Sequence, residues 1–238
     1  MSKAALITGA AKRIGAEIAI ELAKSGYDIA LHYNSSEDEA LRTQEEILKI
    51  GVQCRLFKGD LEDKVYLSEL IKAVYSSFPD LNVLVNNASI FERASIPDTD
   101  FELFEKLIDV NLKAPYFLIK EFAKVCGSGN IINILDTKIT KNQNVYAAYI
   151  LSRKALSDLT KIAAVEFAPR IRVNGICPGL ILPAENESEE YVERLIQKNL
   201  VKRKGSPENI TSTVKFLLEN DFITGEIIKV DGGENLIC

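Results

Sequence analysis

The chain predicts a doubly wound α/β fold. Three observations carry this. Seven short runs rich in aliphatic residues alternate with stretches of helical periodicity along nearly all of the 238 residues. The runs are close to continuously apolar, as strands covered on both faces are. The first run leads directly into Thr8-Gly9-Ala10-Ala11-Lys12-Arg13-Ile14-Gly15, a glycine-bearing turn that opens an amphipathic helix. Together they give a Rossmann-like, seven-stranded parallel sheet with helices on both faces and right-handed crossovers. With 47% hydrophobic residues and no Pro/Gly/Ser linker, residues 1–238 read as a single domain.

Taken in order, the strands are expected at residues 4–8, 28–33, 53–58, 83–86, 130–135, 170–176 and 226–230. The helices between them are expected at 14–25, 37–50, 64–78, 101–125, 146–167 and 207–218, with Gly26 and Gly51 marking two helix ends. The turn at residues 8–15 is suited to a dinucleotide phosphate: its glycines let the backbone approach the pyrophosphate, and the helix N-terminus attracts the charge. Arg13 stands where a second close-approach glycine is expected. Its guanidinium can fork onto phosphate oxygens and offer its plane to an aromatic ligand, a combination suited to holding cofactor and substrate together.

Composition excludes several classes. A net charge of −5 leaves no basic field for nucleic acid, and Lys202-Arg203-Lys204 is too short to supply one. Cys54, Cys126, Cys177 and Cys238 are isolated, without metal-ligand spacing, and imply reduced thiols in a cytoplasmic protein. No apolar run approaches the roughly 20 residues of a bilayer span, so a soluble chain with no membrane partner is expected. His32 is the one histidine, which makes a Ser-His-Asp hydrolase hard to build.

In doubly wound sheets ligands lie beyond the carboxyl ends of the strands. After the second strand comes His32-Tyr33-Asn34-Ser35-Ser36, with no carboxylate for a ribose 2′-hydroxyl. Lys12 and Arg13 lie near the same ribose, which favours NADPH over NADH; Ser35 and Ser36 also suit a cap of the next helix. After the third strand come Asp60 and Leu61, and after the fourth come Asn86, Asn87, Ala88, Ser89, Ile90 and Phe91. Asp60 alone reads as a turn residue, and Asn86 and Asn87 either satisfy turn backbone or reach adenosine and ribose. Phe91 is either core or a ring that stacks on a flat heteroaromatic substrate.

Asp136 follows the fifth strand, and Tyr149 lies on a long helix with Arg153 one turn on. Residues four apart on a helix are about 40° apart around its axis, so Arg153 supports Tyr149 better than Lys154, at about 140°, can. For Tyr149 to act near neutrality its pKa of about 10 must fall by about 3, or about 4 kcal/mol, and a fixed cation is the natural source.

These residues resemble the short-chain dehydrogenase/reductase family across essentially the whole chain. The family's glycine turn matches Thr8, Gly9 and Gly15, its adenine-side acid Asp60, its Asn-Asn-Ala Asn86 to Ala88, its helix asparagine Asn111, and its later Pro-Gly Pro178 and Gly179. Within the family the chain is most similar to the pteridine reductases, in TGAAKRIG, in Leu31-His32-Tyr33, in Asn87-Ala88-Ser89-x-Phe91 and in the pair Asp136 and Tyr149. The resemblance implies NADPH contacts from Gly9, Lys12, Arg13, Ile14, Gly15, His32, Tyr33, Asn34, Ser35, Asp60, Leu61, Asn87, Ala88, Ser89, Tyr149, Arg153, Pro178 and Gly179. It implies a pterin held by Arg13, Ser89, Phe91, Asp136 and Tyr149, with Asp136, Tyr149, Arg153 and Asn111 as the catalytic set. A homotetramer and a substrate lid around residues 180–200, with its acidic stretch from Glu185 to Glu190, are implied too, although that stretch also reads as a solvated helix.

The expected reaction is hydride transfer to a C=N bond of a dihydropterin or dihydrofolate-like ring. General carbonyl reductases of the family carry serine where Asp136 stands; a carboxylate opposes a developing alkoxide but assists a protonated ring nitrogen. A 3-oxoacyl-thioester or other carbonyl reductase is the second reading, and an NADPH-binding sensor or scaffold with weak catalysis the third. The third is motivated by Arg153, which replaces the family's lysine and stays protonated. Tyr146, seven residues before Arg153, matches the longer tyrosine-to-lysine spacing of enoyl reductases.

Overall fold

The computed structural model describes residues 3–183 and 187–237. Among them, β1 (Lys3–Ile7), β2 (Tyr27–Tyr33), β3 (Cys54–Lys58), β4 (Leu81–Asn86), β5 (Gly129–Ile134), β6 (Ile171–Pro178) and β7 (Ile227–Val230) form one sheet in the order β3-β2-β1-β4-β5-β6-β7. Every pairing is parallel. The chain winds outward from β1 to β3, then returns past β1 to β4 and winds the other way. This reversal opens a crevice above the carboxyl ends of β1 and β4.

Alternate side chains of each strand feed two cores. Ala5, Ile7, Ile29, Leu31, Val83 and Val85 pack under α1 (Arg13–Lys24), α2 (Glu37–Ile50) and α8 (Pro207–Glu219). Ala4, Leu6, Ala30, Leu84 and Ile131 pack under α3 (Lys64–Ser77), α5 (Ala114–Val125) and α6 (Ala147–Phe167). Leu6, Leu84 and Phe122 are wholly buried there, each worth about 1.5–3 kcal/mol relative to exposure. Gly26 and Gly51 lie at helix ends as expected, both with left-handed backbone.

Three local features differ from expectation. The stretch 101–125 is not one helix: α4 (Phe101–Ile108) passes through a π-helical turn, Asp109–Lys113, before α5. Pro178 closes β6, where its missing N–H is tolerated at the strand's last residue, instead of following the strand. Ser36 precedes α2 without a side-chain cap bond; the three acidic residues of the first turn, Glu37, Asp38 and Glu39, offset the positive helix end instead. An additional helix, α7 (Glu189–Ile196), is capped by the Ser188 hydroxyl, which accepts from the Tyr191 N–H.

Candidate active site

The crevice is a cleft of about 1130 Å³, above the range common for one drug-sized ligand. Its floor is the β1–α1 turn. Gly9 has φ +62°, and a Cβ there would lie 3.0 Å from Ala88 Cα; one on Gly15 would lie 2.3 Å from the Gly9 carbonyl oxygen. Both positions therefore admit only glycine. The turn is held from below by Asn87, whose Nδ2 donates to Thr8 O at 2.9 Å and Gly9 O at 3.0 Å.

His32 pins the same turn from β2. Its Nδ1 accepts from the Gly9 N–H at 3.2 Å, so Nε2 carries the proton and donates to Gly59 O at 3.1 Å. Burial lowers its pKa to about 4 against the pull of Gly59 O and Asp60. The ring thus stays neutral at pH 7.

Arg13 takes the glycine-like backbone as well as the glycine's place: its φ is +56°. Its guanidinium crosses the cleft mouth to the segment after β6, donating to Leu182 O at 2.6 Å and to Pro183 O at 3.3 Å and 3.4 Å. Lys12, Ile14, Asn34, Ser35, Asp60, Leu61, Ala88, Ser89, Pro178 and Gly179 also line the cleft. Tyr33 does not. Successive strand side chains alternate faces, and Tyr33 is buried in the core under α1, α2 and α8. Asn86 is also turned inward, its Nδ2 donating to Asn133 Oδ1 at 2.8 Å.

At the other end of the cleft Asp136, Tyr149 and Phe91 meet. Asp136 follows β5 and starts a 3-10 turn, Thr137–Thr140, its Oδ1 accepting from the Lys138 N–H at 2.7 Å. Its Oδ2 accepts from the Tyr149 hydroxyl at 2.8 Å. Phe91 meets the Tyr149 ring edge-on at 4.8 Å and stacks on Tyr146 at 4.9 Å. Tyr149, rather than Tyr146, bonds the carboxylate.

Arg153 lies beneath, 3% exposed, with its guanidinium 5.5 Å from the Tyr149 ring centroid and donating to Ile134 O at 3.3 Å. Its lowering effect on Tyr149 does not prevail: burial, joined by Asp136, holds the phenol above its ordinary range. Tyr149 is therefore a protonated hydroxyl at neutral pH, contrary to the depressed pKa expected from the sequence. Arg153 Nε–H is buried without a partner. A group with acceptor oxygens entering the cleft would satisfy it, as the ribose of a dinucleotide does.

Asn111 is not in the cleft. The π turn aims its amide inward, where Oδ1 accepts from the Ile90 N–H and Nδ2 donates to Ile90 O, both at 2.9 Å, with Ser152 Oγ at 3.2 Å. It holds the Ser89–Phe91 loop rather than touching reacting atoms. The sequence reading missed Lys138, whose ammonium lies 3.9 Å from Asp136 Oδ2 and 5.2 Å from the Phe91 ring centroid. A lysine two residues after the carboxylate was its only signal. Arg194, Leu195 and Tyr191 of α7 line the cleft with Leu180, Ile181, Leu182 and Pro183; Glu185 lies outside the described residues.

Among the described residues no cluster of histidine, cysteine and carboxylates can hold a metal, and no helix is long and apolar enough to cross a membrane. Burial pushes the thiols of Cys54, Cys126 and Cys177 up to about 12, which removes them as nucleophiles.

A family model described as enoyl-(acyl carrier protein) reductase matches residues 9–235. The 3-oxoacyl-(acyl-carrier-protein) reductase FabG of Staphylococcus epidermidis is 34% identical over 98% of this chain and 99% of its own. Among solved structures, FolM alternative dihydrofolate reductase 1 from Brucella canis, complexed with NADP, aligns with a TM-score of 0.94 at 34% identity, over 99% of this chain and 95% of that one. Acetoin dehydrogenase YohF from Salmonella typhimurium aligns at 0.90 and 27% identity, over 100% of this chain and 98% of that one. With the parallel sheet, the glycine turn and the Asp136–Tyr149 pair in one cleft, these matches show that the chain belongs to the short-chain dehydrogenase/reductase family of oxidoreductases.

Proposed function

We propose that this NADPH-dependent reductase acts on a dihydropterin or dihydrofolate-like ring, reducing a C=N bond. The observation that carries the reading is Asp136. Its carboxylate stands at the reacting end of the cleft, hydrogen-bonded to Tyr149 and beside the exposed Phe91 ring. A negative charge there disfavours an alkoxide and favours a protonated nitrogen. The likeness to FolM alternative dihydrofolate reductase 1 supports the same substrate class.

NADPH supplies the hydride when bound. The chain's own residues do the rest. Gly15 and the start of α1 present backbone N–H groups to the pyrophosphate, Gly9 leaves room for its close approach, and Lys12, Asn34 and Ser35 suit the 2′-phosphate. Arg153 reaches for ribose hydroxyls through its unpartnered Nε–H. Phe91 gives the substrate ring a stacking face, Asp136 accepts from its N–H groups, and Tyr149 donates the proton. Arg13, Leu182, Pro183 and α7 form the substrate lid. The subunits assemble as a homotetramer through the exposed apolar residues of α4, α5 and α6.

The test is NADPH oxidation with dihydropterin, dihydrofolate and an acetoacetyl thioester, in wild type and Asp136→Ser. Pterin turnover that falls about 100-fold in Asp136→Ser, in line with loss of a positioned acid-base group, supports the reading. A wild type that reduces only the thioester rejects it in favour of the carbonyl reductase reading, which the FabG likeness supports.

A further inference from the structure

Each reduction consumes one proton at Tyr149, and the cleft must return it. Arg153 is the cation nearest the ring, but a guanidinium keeps its proton at any physiological pH and cannot serve. The Tyr149 hydroxyl contacts one titratable acceptor, Asp136 Oδ2, at 2.8 Å. The next group outward is the Lys138 ammonium, 3.9 Å from that same oxygen. Its side chain is 29% exposed, so it meets solvent at one end and the buried pair at the other.

From this we propose that Lys138 is the proton-return residue of the reaction, passing a proton from water through Asp136 Oδ2 to the Tyr149 phenolate. It rests on the oxidoreductase reading and holds for C=N or C=O reduction alike. After the Tyr149 O–H bond breaks and the substrate's new N–H or O–H bond forms, an ammonium N–H of Lys138 breaks and a proton moves to Oδ2. The proton on Oδ2 completes the phenol, and the neutral amine takes a proton from water. No electrons move in this return and the charges balance over the cycle. Proton gain at Oδ2 and delivery from Oδ2 to the phenolate occur together, so no free carboxylic acid accumulates, and the burial that holds the Tyr149 phenol up favours the delivery.

The local geometry serves this role. The Lys138 N–H donates to Asp136 Oδ1 at 2.7 Å, so one residue orients the carboxylate with its backbone and feeds it with its side chain. The ammonium is steered by the faces of Phe91 at 5.2 Å and Tyr146 at 5.7 Å, which hold a cation without taking its protons. Closing 3.9 Å to the roughly 2.8 Å of a charge-assisted hydrogen bond needs about 1 Å of movement by the ammonium. The neighbouring charges do not compete. Lys141 is paired with Glu234 at 3.0 Å, Lys154 donates to Asn142 at 2.6 Å, and, among the described residues, Arg93 and Glu187 line the cleft without bonding to this group.

The experiment compares Lys138→Arg, Lys138→Met and Lys138→Ala in the full-length enzyme, with whichever of dihydropterin or acetoacetyl thioester the wild type reduces. All three keep the backbone bond to Asp136. Expected are kcat values about 100-fold lower in all three variants, substrate KM within about threefold in Lys138→Arg, a larger solvent deuterium isotope effect, and recovery of Lys138→Ala by added ethylamine. Arginine preserves the charge, so a purely electrostatic role would leave Lys138→Arg active. Lys138→Arg or Lys138→Met turning over at the wild-type rate overturns the proposal, as does Lys138→Ala unmoved by ethylamine. Turnover of thioester without pterin rejects the substrate class alone, whereas a wild type that reduces neither overturns both.

Discussion

At the scale of single residues the site depends on side chains in conformations or environments they resist. Arg13 sits at φ +56°, which costs a non-glycine residue about 1–2 kcal/mol. Its return is the bond to Leu182 O at 2.6 Å, exposed and so worth about 1 kcal/mol. Arg13→Gly is expected to leave thermal stability within a few degrees of wild type while raising substrate KM about fivefold, checked by steady-state kinetics. His32 gives a second expectation. Its pKa falls from 6.5 to about 4 on folding. The unfolded chain binds the extra proton between those values, so stability is full above pH 6.5 and is lost as pH falls toward 4, by about 3 kcal/mol. Urea denaturation at pH 7 and pH 4.5 should show this loss in wild type and a smaller one in His32→Asn. A third concerns Tyr149, which burial and Asp136 raise and Arg153 lowers. Removing the guanidinium in Arg153→Met should move the phenol's ionisation further upward, read as ultraviolet phenolate absorbance against Tyr149→Phe.

Among the elements, the π turn between α4 and α5 has the clearest consequence. An α-helix through Asp109–Lys113 would rotate Asn111 relative to Ile90; the wider turn lets one amide satisfy both the N–H and the C=O of that residue. Asn111→Ala leaves two buried backbone groups without partners, at about 2–4 kcal/mol together, measurable as a lower urea midpoint with unchanged m-value. Because Ile90 lies between Ser89 and Phe91, kcat should fall as well. Nothing in the apolar periodicity of residues 101–125 announces the turn, since a π insertion of one residue leaves the surrounding spacing helical. Strands were easier to read. The observed ends of all seven lie within two residues of those expected, since continuous apolar runs bounded by turn residues have few other ways to be buried.

On the scale of the whole molecule, α4, α5 and α6 leave large apolar side chains in solvent. Val165 on α6 and Phe101 on α4 are 84% and 88% exposed, and Leu151, Ile162, Phe104 and Tyr116 on the same three helices are exposed too. Burying such side chains gains about 25 cal/mol per Å². Light scattering at micromolar concentration should return the mass of four chains, and Val165→Glu should lower it. The sheet order, the crevice at its reversal and the residues around it follow from one-dimensional signals: apolar runs, turn glycines and the polar residues after each strand. Those signals are local, and burial acts on them directly. Tyr33 turning into the core, Asn111 clamping Ile90, Tyr149 staying protonated beside Arg153, and Lys138 reaching Asp136 are different in kind. Each is settled by which face a side chain takes and by what another part of the chain brings within a few ångströms, so packing and desolvation decide them only once the sheet has closed.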